Sequence, residues 1–110
     1  MEAGTSDFDR WLKTVNTNAD DLALVPALDL VAESVDKAYG ASIWFAEILG
    51  RRWSYIAGRP GDAPFTEEIR RVSLDDRIGL IANGWGSLSE IQRGDFIASL
   101  RELVSAKHLP

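Results

Sequence analysis

Four tryptophans, two tyrosines and a set of arginines are the residues of this 110-residue chain best suited to recognition chemistry. Trp44, Trp53 and Tyr55 fall close together in the run Ser42–Gly58. Such rings, each with a polar handle, line ligand pockets, and they also dominate core packing. Trp85 stands between Gly84 and Gly86. This is a loop by composition, and loops carry function more often than elements do. A tryptophan there either meets a ligand or folds back onto the edge of a core. Glu47 lies among Ile43, Phe45 and Ile56. A carboxylate desolvated in such company has a raised pKa and suits acid–base work. The plainer expectation is an ion pair with Arg52 or Arg70. Arg59, in Gly58-Arg59-Pro60-Gly61-Asp62, offers an anion-binding loop with backbone N–H groups as further donors. The run lacks the spacing and the Lys-Ser/Thr of a phosphate loop, so a plain turn is favoured.

Other constellations carry less. Glu67-Glu68 and Asp75-Asp76 are adjacent acids that point to opposite sides of a strand, so neither pair is a natural dyad. No serine sits in a Gly-x-Ser-x-Gly elbow. Arg93-Gly94-Asp95 reads as a cap and a turn. There is no cysteine, and the single histidine is His108. Disulfides, thiol nucleophiles, thiolate zinc sites and His-based triads are therefore not expected within one chain. No catalytic set, metal or cofactor is expected.

The elements that must position these residues follow from periodicity. Phe8, Trp11, Leu12 and Val15 form a helical stripe, with Ser6 and Asp9 as a weak capping box and Asn16-Thr17-Asn18 as the expected stop. A second helix carries Leu28, Val31, Val35 and Ala38 or Tyr39, with Pro26 suited to its first turn and Gly40 just past its end; an earlier turn from Asn18 to Val25 would put a break or kink at Pro26. The run 42–58 then folds as a hairpin about a two-residue turn at Gly50-Arg51. Leu49 faces Arg52, Ile48 faces Trp53, Ala46 faces Tyr55 and Trp44 faces Ala57. One face thus collects Trp44, Ala46, Ile48, Trp53, Tyr55 and Ala57, each large ring opposite a small or aliphatic partner. Packing is the favoured role of these rings. The other face carries Ile43, Phe45, Leu49 and Ile56 around Glu47. Phe65–Val72 reads as a more polar edge strand. Residues 73–85 form either a capped helix or a turn at Asp75-Asp76 followed by a strand Arg77–Ala82, and the strand is favoured. A capping box, Ser87 with Glu90 or Ser89 with Gln92, opens a last helix that Gly94-Asp95 is expected to split.

The fold class expected is α+β. A small antiparallel sheet of three or four strands, with its hairpin at 42–58, carries N-terminal helices and a C-terminal helix in a single domain, 1–110. Both hairpin faces are partly apolar, so either helices cover both sides or a second copy covers one.

Net charge is −5, and residues 1–40 hold eight acids against three bases. An acidic chain is a poor partner for nucleic acid. No apolar run approaches the roughly 18 residues of a membrane span, and Met1-Glu2-Ala3-Gly4 has no basic or apolar leader character. No membrane partner is expected, and the expected location is cytoplasmic. Ala41–Gly58 followed by Arg71–Gly84 is similar in composition to the sheet region of GAF-like sensor domains. It covers under half of the chain and has no signature residues, so no membership follows.

The function expected is a small intracellular binding or regulatory module, a homodimer. It would bind a small ligand or a partner protein through an aromatic sheet face or loop, with Trp44, Trp53, Tyr55, Trp85, Glu47 and Arg59 as candidate contacts. The alternatives are a protein-interaction module without a small ligand, whose acidic helices meet a basic partner, and a small enzyme using carboxylate, Arg and Tyr groups. Catalysis is the less favoured.

Overall fold

A computed structural model describes residues 7–58 and 69–107. The first helix, α1 (Asp7–Asp20), buries Phe8, Val15 and Ala19, with Trp11 and Leu12 half-buried on the same stripe. It continues through Asn16-Thr17-Asn18, where a stop was expected. The Asn16 amide bonds the Ser99 hydroxyl, and the Thr17 hydroxyl donates to the Lys13 carbonyl at 2.9 Å. These contacts override a weak local preference against helix.

The second helix, α2 (Leu24–Tyr39), buries Leu24, Ala27, Leu28, Val31, Ala32 and Val35. Pro26 sits in its first turn, where no N–H is needed, so it breaks nothing. Gly40 ends the helix with φ +72° and donates its N–H to the Asp36 carbonyl.

Strands β1 (Ile43–Leu49) and β2 (Arg52–Gly58) form the hairpin. Its register is Leu49 with Arg52, Ile48 with Trp53 and Ala46 with Tyr55, as the turn at Gly50-Arg51 requires. Beyond Tyr55 the expected register fails. A bulge pairs Ala57 with Phe45, and Trp44 meets Gly58 instead of Ala57. The cause lies at Gly58. Its N–H is held by the Asp29 carboxylate of α2 at 2.6 Å, and a Cβ there would come within 2.8 Å of the Trp44 Cα. The extra residue turns Ala57 to the helix side, where it is buried in the main core.

Strands β3 (Arg70–Ser73) and β4 (Ile78–Ala82) form a second hairpin. The strand reading of 77–82 therefore holds, and positions 65–68 of the expected Phe65–Val72 strand lie outside the described residues. The sheet order is β2-β1-β4-β3 with every pair antiparallel, which puts β3 at an edge. Asp75 shapes the β3–β4 turn. Its Oδ1 accepts the N–H groups of Arg77 (2.7 Å) and Ile78 (2.8 Å), and Oδ2 meets the Arg77 guanidinium at 3.0 Å.

Desolvation pushes the Asp75 carboxyl up, but the two backbone donors and Arg77 outweigh it and hold the pKa below the usual carboxylate value. A depressed folded pKa contributes stability that is present above the unfolded pKa, about 4, and is lost as pH falls through the folded value. Asp75→Asn is therefore expected to flatten the fall in stability below about pH 4. Urea melts across that range check it. An unchanged acid limb in the variant would show that Asp75 does not contribute.

The last helix, α3 (Glu90–Ser105), opens on a complete capping box. The Ser89 hydroxyl accepts from the Gln92 N–H at 3.1 Å, and the Gln92 side chain accepts from the Ser89 N–H at 2.9 Å. No split occurs at Gly94-Asp95, because both residues are exposed and no contact there requires a bend. Two cations tie down helix ends. Arg77 donates to the carbonyls of Val104 (3.4 Å) and Lys107 (3.2 Å). Lys107 donates to the carbonyls of Asp20 (3.0 Å) and Leu22. Both suit the negative end of a helix dipole.

The three described helices share one core on one side of the sheet, with α2 over β1 and β2 and α1 against α2 and α3. The main core joins Phe8, Leu28, Val31, Val35, Phe96 and Leu100 to Ile43, Phe45, Ala57, Ile78, Leu80 and Ala82. The fold is α+β, a helical layer on a four-stranded antiparallel sheet. Helices on both sides, one of the two expected solutions, are not found among the described residues.

Candidate recognition surface on the helix-free sheet face

Strand alternation places Trp44, Ala46, Ile48, Trp53 and Tyr55 opposite the helices, together with Arg71, Gly79 and Ile81. Here Trp44, Ala46 and Ile81 form an apolar cluster separate from the main core, and Trp53 and Ile69 pack against it. Ala46 and Gly79 are paired across β1 and β4 and are the smallest residues on this face. They leave a trough that the Trp53 indole fills. A Cβ added to Gly79 would lie 2.2 Å from the ring atom Cζ3. Glycine inside a strand commonly marks such a close approach. The Arg71 guanidinium sits 5.8 Å from the Trp53 ring centre, a cation–π contact. Arg71 is exposed, and it forms no ion pair with the described residues.

Tyr55 is the neighbour that stays open, with 57% of its surface exposed. Its hydroxyl donates to the Gly58 carbonyl, which fixes the ring beside Trp53. The patch thus offers two rigid aromatic side chains and one guanidinium. Among the described strand residues, no carboxylate shares this face. The chemistry on offer is apolar contact plus one anchoring cation, with no partner for proton transfer.

Three sequence candidates therefore converge: Trp44, Trp53 and Tyr55. Glu47 lies on the helix side, paired with Ser54 and Ile78 and half-buried. Its expected ion pair with Arg52 or Arg70 does not form. Trp85 belongs to the core edge. Its ring meets Phe96 edge-on at 6.5 Å, and Arg93 lies over it at 5.9 Å. Phe96 joins it to an aromatic group with Trp11, Tyr39 and Phe8, in which the Trp11 and Tyr39 rings are 5.1 Å apart. Burial, and then the charge of Asp7, push the Tyr39 phenol above its usual pKa. Arg59 lies outside the described residues.

The sequence reading missed Gly79, Ile81, Ile69 and Arg71 as members of this surface. Gly79 was the available signal, since a glycine inside a β-branched strand implies something lying across it.

A surface depression of about 530 Å³ lies elsewhere, lined by Leu74, Asp75, Arg101, Glu102, Ser105 and Ala106. It opens widely to solvent between the β3–β4 turn and the last turns of α3. Among the described residues no three His, Cys, Asp or Glu side chains come together as a metal site, and no helix is long and apolar enough to cross a membrane. Comparison with known proteins finds no matching family, no similar curated protein and no similar solved structure.

Proposed function

We propose that this chain is a small intracellular, non-enzymatic binding module that works as a homodimer and uses the helix-free sheet face around Trp53 as its recognition surface. One observation carries the reading: the described helices all lie on one side, while the other side holds a second apolar cluster ending in the exposed Tyr55 and the Arg71–Trp53 stack. An apolar sheet face rimmed by polar groups is the usual mark of an interaction surface. Aromatic and arginine side chains supply most of the binding energy where such surfaces meet partners. The lack of cysteine agrees with a reducing compartment.

Light scattering across a range of concentrations tests the assembly. The wild-type chain is expected at twice 12.1 kDa, and Tyr55→Glu is expected to shift it to the single-chain mass. The substitution places a charge on an exposed ring position and leaves the main core untouched. A wild-type protein that stays at 12.1 kDa at every concentration would overturn the homodimer.

A further inference from the structure

Among the described residues the sheet has two edges, and they differ in kind. β3 is four residues long, and its exposed Arg70 and Arg71 protect it in the usual way, by shortness and charge. β2 is seven residues long and carries no charge after Arg52. Its centre, Trp53-Ser54-Tyr55, has neither proline nor lysine to discourage pairing.

The phase of the backbone says which groups β2 presents. A two-residue turn makes Leu49 and Arg52 a pair that exchanges hydrogen bonds, so exchange skips Ile48–Trp53, resumes at Glu47–Ser54 and skips Ala46–Tyr55. One contact confirms the phase: the Ile48 N–H donates to the Arg77 carbonyl at 2.6 Å, away from β2. The N–H and C=O groups of Trp53 and Tyr55 therefore point outward from the edge. The bulge beyond Tyr55 ends the regular stretch.

We infer that β2 pairs antiparallel with β2 of a second copy about a two-fold axis at Ser54, so that each copy completes the other's recognition surface. This rests on the homodimer reading and names its interface. With the axis at Ser54, Trp53 faces Tyr55 of the second copy and Tyr55 faces Trp53 of the second copy. Both are exchanging pairs, and both use the outward groups. An axis at Trp53 would set Tyr55 against the turn residue Arg51, and an axis at Tyr55 would run into the bulge. The Ser54 axis also keeps Arg52 of one copy four residues from Arg52 of the other, so like charges do not face each other.

The helices permit it. α2 packs over the β1–β2 pair. Centred there in each copy, two α2 helices stand two strand spacings apart, on the order of 10 Å, which is an ordinary helix-packing distance. Directly opposed residues share a face, so four rings (Trp53 and Tyr55 from each copy) gather on the helix-free side, flanked by an Arg71 at either end.

The chain has no cysteine, so Ser54→Cys introduces a single thiol. Non-exchanging antiparallel partners have Cα atoms about 4.5 Å apart, within disulfide reach. Arg52→Cys is the control, because its counterpart in the second copy would be four residue rises away, about 13 Å. Thiols held together in a dimer meet at an effective concentration near millimolar. Mild oxidation at micromolar protein is therefore expected to cross-link S54C on the order of tenfold more than R52C. Equal cross-linking, or none in S54C while light scattering gives a dimer, would overturn this interface and leave the homodimer standing. A single-chain mass would remove both.

Discussion

Gly86→Ala is expected to lower the unfolding free energy by about 3 kcal/mol, a large share of the total for a domain this size. Two costs coincide at this position. The backbone is left-handed, with φ +60°. An added Cβ would also meet the Tyr39 carbonyl oxygen at 2.0 Å and the Gly40 carbonyl carbon at 2.6 Å. The neighbouring backbone cannot easily give way, because the Ser87 N–H donates to that same Tyr39 carbonyl at 2.8 Å. Gly50→Ala separates the two costs. Its φ is +65°, yet its Cβ would meet nothing within 4 Å. It should lose only about 1 kcal/mol, from the left-handed backbone. Urea unfolding of both variants makes the comparison. Equal losses would mean that the collision relaxes and that the loop is not held against the end of α2.

Phe45→Ala is expected to cost about 4 kcal/mol. Its ring is fully buried, and it faces Leu80 on β4 and Ala57 on β2 beneath the helical layer. Nothing on that side can collapse into the space without moving a helix. Trp53→Ala removes a larger side chain from the opposite face, yet it should cost only about 2 kcal/mol, since that ring is only partly buried and loses mainly its trough and the Arg71 contact. The contrast bears on function. If Trp53→Ala proves as damaging as Phe45→Ala, the helix-free face is a second structural core and the recognition reading fails.

Local signals located most of the fold. Gly50 and the alternation of Trp53 and Tyr55 were enough to place the turn and the cross-strand register as far as Tyr55, because both act within a few residues. The box at Ser89 and Gln92 opened α3 for the same reason. What escaped depended on contacts distant in sequence. The bulge is set by Asp29 reaching Gly58 from α2. The length of α1 is supported by Asn16 meeting Ser99. The candidate surface was half legible. Its rings were visible as one face of a hairpin, but Arg71 and Gly79 join it only because β4 inserts beside β1 and brings β3 with it. That the described helices all lie on the other side is a property of the whole layer, and no local pattern announces it.

The bond from Lys107 to the carbonyls of Asp20 and Leu22 spans nearly the whole described chain. It closes the C-terminal end of α1, the first of the described helices, with a residue that follows α3. On the ribosome, α1 therefore waits for this cap until residue 107 has emerged. Until then the Asp20 and Leu22 carbonyls are left to water, and the helix is held by its packing against α2 and then α3. A residue some eighty positions downstream is thus what fastens the end of α1.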